Sequence, residues 1–422
     1  MYAIYNLVVS ISWFFLKILA VFNTKIKLFV AGRTVSFKKL RSSLSKDDQV
    51  IWMHVASLGE FEQGLPIIEG LRAEYPSRKI LLTFFSPSGY EIKKNTPAVD
   101  VVVYLPMDTR KNASRFLDIA RPELAIFVKY EIWPNYLRAL EKRKVPTLLV
   151  SAIFKDEQIY FKGYGGYMRK ALRRFDHYFV QDEASQKLLG SIEIKNVTIS
   201  GDTRLDRVSE ILDADNHLDF MRAFKKDRLC FVAGSTWSEG ESILIDYINH
   251  APKNLKYVLA PHTIRKDKIL GLAGAITKKK VLYSNIREHS AGIFSNIDGQ
   301  PVGDCDVLIV DTIGLLTKIY SYADIAYVGG GFATGLHNTL EPAVFGIPVI
   351  IGPHFKGFKE AEDLVARKGI YPVADQWAFD EFMKKLLDDP EFRKRTGKIN
   401  AEYIAKNKGA SAQIMTYIRK LP

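Results

Sequence analysis

The sequence predicts an α/β protein built from two successive halves, each with its own parallel sheet. Three observations predict it. Short apolar runs alternate with amphipathic stretches over most of the chain, the pattern of strands joined by crossover helices. The alternation breaks once, after Thr198-Ile199-Ser200-Gly201-Asp202-Thr203-Arg204, and restarts at Leu229 beyond a helical linker. Late in the second half, an apolar strand, three consecutive glycines, a helix pattern from near Asn338 and a buried strand at 347–351 form a βαβ unit.

The chain opens on residues 3–22, AIYNLVVSISWFFLKILAVF, a mostly apolar run as long as the ~20 residues needed to cross a bilayer. No Lys or Arg precedes it. Lys25, Lys27, Arg33, Lys38, Lys39 and Arg41 follow before the first acid, Asp47. This asymmetry assigns the rest of the chain to the cytoplasmic side and offers basic groups to anionic headgroups. Residues 1–30 are expected to anchor the chain, either spanning the membrane or lying in its interface. A cleaved signal peptide fits less well, because the basic start and the small-residue cleavage site are missing.

From residue 50 the first half has strand patterns at 51–55, 80–84, 101–105, 124–128, 146–150 and 177–180, with helical stretches such as 61–74, 112–119, 134–142 and 164–174. The second half has strand patterns at 229–233, 257–260, 280–283, 307–310, 325–328 and 349–351, and the chain closes in helices near 377–387, 390–406 and 410–420. A cleft between two such halves is a favoured ligand site.

Composition narrows the partners. Of 422 residues, 47% are hydrophobic and 25% charged, ordinary values for a globular protein, but the formal net charge is +13. That balance suits an anionic partner: nucleic acid, a membrane surface or a phosphorylated substrate. No RNA-binding signature or clustered basic helix favours nucleic acid. The two cysteines, Cys230 and Cys305, lie in apolar surroundings and read as buried thiols of a reducing compartment. Neither zinc spacing nor the P-loop, HExxH or GxSxG patterns are present.

Candidate chemistry gathers where strands end. Ser57, Gly59 and Glu60 follow the first strand, and Glu60 is either a general base or a charge complementing a helix start. Lys129 and Glu131 follow the fourth strand, and Pro134 suits the first turn of the next helix. Glu131 is a second site acid or an exposed loop acid. Lys162 begins a basic, aromatic stretch that could receive an anionic acceptor or simply be a solvated face. In the second half Ser235 and Thr236 end a strand and open a helix, a candidate anion nest, and His262 ends the next strand. Gly330, Gly331, His337, Asn338 and Glu341 form the third group, and they fit a nucleotide's phosphate and ribose. Glycines can equally make only a tight turn. Asp304 and Asp306 resemble a metal pair but lead into a strand with no third ligand nearby, so no metal site is expected.

Several of these segments match one family in order. HVASLGE (54–60), EIWPN (131–135), SGDTRLD (200–206), GSTWSEGE (234–241) and the run from Asp311 to Phe358 resemble the 3-deoxy-D-manno-octulosonic acid (Kdo) transferases of lipopolysaccharide synthesis. The resemblance implies the GT-B glycosyltransferase fold, two Rossmann-like domains facing across a cleft. It implies an acceptor domain at 31–205, a CMP-Kdo domain at 206–405 and a final helix, 406–422, packing back on the first domain. The implied reaction is inverting transfer of Kdo from CMP-Kdo to the 6-hydroxyl of the distal glucosamine of a lipid A precursor. It implies no cofactor, no nucleic acid, a monomer, and a location on the cytoplasmic face of the inner membrane. By motif, Glu60 is similar to the catalytic base and Glu131 to a second essential acid, with Ser57, Gly59, Lys129 and Lys162 toward the acceptor. Ser235, Thr236, His262, Gly330, Gly331, His337, Asn338 and Glu341 correspond to the donor set. Lys129, Trp237, Leu336, Pro261-His262 and the arginine-free stretch 151–154 depart from the family's usual residues.

Overall fold

The computed structural model describes residues 1–251, 255–289, 293–333 and 335–421, so Thr334 of the glycine-rich run lies outside the described residues. The chain divides into two compact units: residues 1–207 with the chain from Asn407 onward, and residues 208–406.

The first unit is a seven-stranded parallel sheet. Its strands are β1 (Val50–Val55), β2 (Lys79–Phe84), β3 (Val101–Tyr104), β4 (Pro122–Val128), β5 (Thr147–Ala152), β6 (His177–Val180) and β7 (Val197–Ile199), in the order β3-β2-β1-β4-β5-β6-β7. β7 was not among the expected strands; it is three residues of partly exposed edge, too short to show a period. β1 is buried along its whole length because helices cover both sheet faces. Its side chains divide by period two: Ile51, Met53 and Val55 join one core, Val50 and Trp52 the other.

Six helices of this unit matter to the site: α1 (Tyr2–Leu19), α2 (Thr24–Ser43), α3 (Leu58–Glu74), α4 (Pro87–Lys93), α5 (Arg110–Ala120) and α6 (Pro134–Lys142). Phe61, Leu65, Ile68 and Leu71 of α3 fill the Met53 core, and residues of α5 and α6 fill the Trp52 core. The helix Ala410–Ile418 returns to the first unit and adds Ile414, Met415 and Ile418 to the Met53 core. Asp206 caps it, accepting bonds from the Gly409 N–H and from the Ser411 N–H and hydroxyl, so the SGDTRLD motif fastens the returning chain.

Near the start of the chain the structure corrects one expectation. Arg33, counted with the basic flank, is 4% exposed and unavailable to headgroups. Its guanidinium stands 3.5 Å from the centroid of the Phe29 ring and donates to the Phe85 carbonyl at 2.8 Å. Gly32 beside it permits this packing, since a Cβ there would lie 2.1 Å from the Tyr104 ring.

The second unit is also a seven-stranded parallel sheet, with a small antiparallel pair beside it. Its strands are β8 (Leu229–Thr236), β9 (Leu255–Pro261), β10 (Lys280–Leu282), the pair β11 (Arg287–His289) and β12 (Ile293–Ser295), β13 (Val307–Ile309), β14 (Ile325–Val328), β15 (Val349–Ile351) and β16 (Ile370–Pro372). The large sheet runs β10-β13-β9-β8-β14-β15-β16. β11, β12 and β16 were not expected; each is three residues long. Cys230 lies in β8, whereas Cys305 is buried just before β13 rather than within a strand.

Each large sheet has one place where the chain reverses its direction of winding: between β1 and β4 in the first unit, and between β8 and β14 in the second. Open α/β sheets bind ligands outside the carboxyl ends of the strands at such a point.

Candidate active site

In the first unit the carboxyl ends of β1 and β4 stand side by side at the reversal, and the two candidate acids leave from there. Ser57 caps α3, its hydroxyl accepting the Glu60 N–H at 3.4 Å. The Glu60 carboxylate folds back to accept the Ala56 N–H. This is nearly a capping box, so Glu60 does serve the helix start. It is also 5% exposed, which a helix charge does not need. Burial first, and the Glu131 carboxylate second, push its acid up to about 7, against smaller opposing effects from the Ala56 N–H and Lys129. Such a carboxylate changes protonation near neutral pH, the property a general base requires.

Glu131 is held by two side chains. Trp133 Nε1 lies 3.0 Å from Glu131 Oε2 and 3.0 Å from His54 Nε2. His54 Nε2 lies 3.2 Å from the same oxygen. On the far side of the ring, His54 Nδ1 is 2.8 Å from the Thr83 hydroxyl, which itself accepts the Trp52 N–H at 2.9 Å. Nδ1 also lies 3.1 Å from the Thr83 carbonyl, so the ring is held between Thr83 on one side and Trp133 with Glu131 on the other. His54 was not singled out from the sequence, although it opens the HVASLGE segment. A histidine ending a strand otherwise made of apolar residues was the available signal.

Lys129 adopts a left-handed backbone, φ 62°, at the end of β4, and its charge reaches Glu60. Gly59 leaves open space on the first turn of α3, with nothing within 4 Å of where its Cβ would stand. Lys162 departs from the helical reading. It lies between two single 3-10 turns, Ile159–Phe161 and Gly163–Gly165, and the α-helix runs over Gly166–Leu172 rather than 164–174. Its ammonium makes no hydrogen bond or ion pair among the described residues, while Tyr160, two residues before it, is pushed up to about 12 by burial and then by Glu131.

The second unit gathers its candidates the same way. Ser235 takes a left-handed φ of 52° at an irregularity ending β8, and Thr236 donates to Glu241 at 2.7 Å. The rings of Trp237, His262 and His337 form one group: His262 and His337 have centroids 4.4 Å apart, and Trp237 and His262 4.7 Å apart. Trp237 Nε1 donates to His337 Nε2 at 2.8 Å, so that nitrogen carries no proton. Burial, and then His262, lower His337 to about 4, which keeps its ring neutral at physiological pH. Trp237 thus has a partner in the ring it departs from the family pattern beside. Next to this group a cavity of about 220 Å³ is lined by Thr236, Trp237, Glu241, Pro261, Arg265 and Lys268 among others.

The glycine loop needs its glycines for its own packing. A Cβ on Gly329 would lie 2.0 Å from the Ser235 carbonyl, one on Gly330 2.1 Å from the Gly335 carbonyl, and one on Gly331 2.8 Å from the Gly352 nitrogen. Gly330 also has φ 90°, which few other residues adopt. The next helix is Leu340–Val344, so it starts at Leu340 rather than near Asn338 and has only five residues. Asn338 precedes it, its Oδ1 accepting the Leu340 N–H at 3.1 Å while its amide donates to Glu341 Oε1 at 3.0 Å. Thr317 donates to the other Glu341 oxygen at 3.0 Å. These two donors hold both oxygens of a partly exposed carboxylate in place.

No cluster of three or more His, Cys, Asp or Glu suited to a metal occurs among the described residues. Asp304 and Asp306 are paired with Lys226 and Arg228, at 3.4 and 3.2 Å.

Comparison with known proteins decides the family. A family model described as 3-deoxy-D-manno-octulosonic-acid transferase (kdotransferase) matches residues 31–207. A 3-deoxy-D-manno-octulosonic acid transferase of Haemophilus influenzae is 30% identical over 387 residues, 88% of this chain and 87% of that protein. The chain belongs to the Kdo transferase family. Among solved structures, a UDP-GlcNAc 2-epimerase from Neisseria meningitidis superposes with a TM-score of 0.61 at 15% identity, covering 88% of this chain and all (100%) of that one. MurG of Acinetobacter baumannii superposes with a TM-score of 0.55 at 10% identity, covering 89% and 100%. At those identities the likeness is one of fold, and the fold is GT-B. Among the described residues this Kdo transferase family member has one helix, Tyr2–Leu19, long and apolar enough to cross a membrane.

Proposed function

We propose that the chain transfers Kdo from CMP-Kdo to the 6-hydroxyl of the distal glucosamine of a lipid A precursor, at the cytoplasmic face of the inner membrane. One observation carries the mechanism: Glu60 is a buried carboxylate raised to about 7, beside Glu131 at the reversal point of the first sheet. The acceptor hydroxyl gives its proton to a Glu60 oxygen as its own oxygen bonds to the anomeric carbon of Kdo. The bond from that carbon to the CMP phosphate oxygen breaks, and its electron pair leaves with CMP. Attack opposite the leaving group inverts the anomeric centre. Glu131, oriented by His54 and Trp133, raises Glu60 and accepts a hydrogen bond from the incoming sugar. Lys129 and Lys162 bring positive charge to the anionic acceptor, and Ser57 and Gly59 shape the turn beneath it.

In the donor site Glu341 binds the ribose hydroxyls of CMP, and Asn338 keeps it oriented. His262 and His337, with Ser235, Thr236 and the Gly330-Gly331 backbone, surround the phosphate. With no metal in this reading, hydrogen-bond donors stabilise the departing phosphate.

Product analysis by mass spectrometry tests the reaction, with CMP-Kdo and a defined lipid A precursor. A positioned base contributes about 10²–10⁴-fold, so Glu60→Gln should lower turnover by that order while CMP affinity stays within about two-fold. Near-normal turnover in Glu60→Gln with a dead Glu131→Gln would reverse the two roles. Calorimetry separates donors: CMP should bind and UDP should not. Glu341→Ala should weaken CMP by roughly 10-fold, the worth of a hydrogen bond to a charged group.

A further inference from the structure

Outside the proposed site, the first unit carries a basic hollow of about 400 Å³ beside the start of α1. It is lined by Arg110 and Ser114 of α5, by Arg138 and Lys142 of α6 with Arg143 just beyond it, and by Tyr2. Arg143 is paired with Asp118 at 2.6 Å. Arg110, Arg138 and Lys142 have no acidic partner among the described residues. The Arg138 guanidinium lies 4.4 Å from the centroid of the Tyr2 ring, so the helix start and the basic wall touch. Three unpaired cations around one hollow repel each other, and an anion with several acceptor oxygens relieves that repulsion.

The adjoining helix says where that anion comes from. Ile4, Leu7, Val8, Ile11, Phe14, Phe15, Ile18 and Leu19 of α1 are all exposed, and no α1 residue is buried. Its half-buried line runs through Tyr2, Tyr5, Asn6, Val9, Trp13 and Leu16, and the large apolar residues named above lie outside that line. A helix that exposes so many large apolar residues and buries none fits one lying in acyl chains. The first turns are also fastened. Tyr5 donates to Asp108 at 2.8 Å, and Asn6 accepts the Arg110 N–H at 2.9 Å. A helix crossing the bilayer would carry these residues to the far side and break both bonds. The hollow therefore lies at the level of the headgroups while α1 lies in the same leaflet.

We infer that the Arg110–Arg138–Lys142 hollow binds the phosphate monoester headgroup of a bilayer lipid, with α1 embedded in plane beside it. Three donors with five, five and three N–H bonds match a monoester, with its two charges and three free oxygens, better than a diester.

The test uses the full chain and floated vesicles. Phosphatidic acid supplies the monoester and phosphatidylglycerol the diester, in phosphatidylcholine at compositions matched for surface potential. The chain should bind the phosphatidic acid vesicles about 10-fold more tightly. The triple variant Arg110→Gln, Arg138→Gln, Lys142→Gln should lose that preference but keep the affinity that α1 gives to both. Arg138→Gln alone, which changes one exposed side chain, should lose part of it and serves if the triple variant does not fold. Equal binding of both vesicles by the unaltered chain overturns the inference, as does an undiminished preference in the variants. Competition by millimolar inorganic phosphate in proportion to its charge would make this a soluble-phosphate site and overturn the lipid assignment as well.

Discussion

In the proposed mechanism Glu60 combines two duties that usually exclude each other. As a capping acid it should be ionised, since it accepts the Ala56 N–H; burial and Glu131 resist that ionisation and raise it to about 7. Acting as a base it works only when deprotonated, so turnover should fall as pH drops through about 7. Glu131→Gln removes the second cause but not the first, so the midpoint should move down only part of the way to the ordinary carboxylate range. A pH–rate profile of both proteins checks this, and the limb belongs to the pair rather than to either acid. Stability carries the opposite sign. The folded pKa lies above the unfolded one, so the contribution is fully present below the unfolded value and is lost as pH rises through about 7. Glu60→Gln should therefore be more stable than the parent at pH 8, by about 1–3 kcal/mol, with the gap closing below pH ~4.5. His54 gives a second prediction. It is fully buried between Thr83 and Glu131, so His54→Ala takes a hydrogen-bond partner from Thr83, Trp133 and Glu131 and leaves a cavity where the ring stood. Urea unfolding should show a loss of about 3 kcal/mol.

At the scale of elements, α1 and α2 look like one apolar–basic anchor in the sequence, yet they do different work. α2 is part of the first unit: Arg33, Ser36 and Leu40 are buried, and Asn23 caps it by accepting from the Lys25 and Ile26 N–H groups. A cut within α2 near Lys39 would remove core residues. A chain beginning at Asn23 keeps the cap and removes only α1. It should move from the membrane to the soluble fraction while retaining its thermal transition and CMP binding; continued firm membrane attachment would assign the anchoring to another surface. The short helix Leu340–Val344 shows the same lesson in the second unit. Its five residues sum only a small dipole, so in the proposed donor site the phosphate relies on side chains and loop N–H groups.

Over the whole molecule, the +13 charge and the apolar α1 make two separable contributions to membrane affinity. Raising salt from about 0.15 M to 1 M shortens the Debye length from about 8 Å to about 3 Å and screens the first but not the second. Vesicle binding of the full chain should weaken several-fold and persist. Complete release at 1 M salt would show that α1 is not embedded.

The sequence by itself determined the strand–helix alternation, the division into two halves and the positions of the candidate residues at strand ends, because those follow from periodicity and turn chemistry among near neighbours. It could not determine which strands stand together. Glu60 and Glu131 share a site because β1 pairs with β4, a contact between distant parts of the chain. His54 meets Glu131 across 77 residues for the same reason. Burial follows from that assembly: it raised Glu60, lowered His337, hid Arg33 and left Arg110, Arg138 and Lys142 around one hollow. The unexpected strands β7, β11, β12 and β16 lack the unbroken buried apolar run that revealed the equally short β13 and β15, and pairing with their neighbours is what makes them strands. A residue's type and spacing are local, whereas its charge state depends on every group packed against it, and only the tertiary structure brings those groups together.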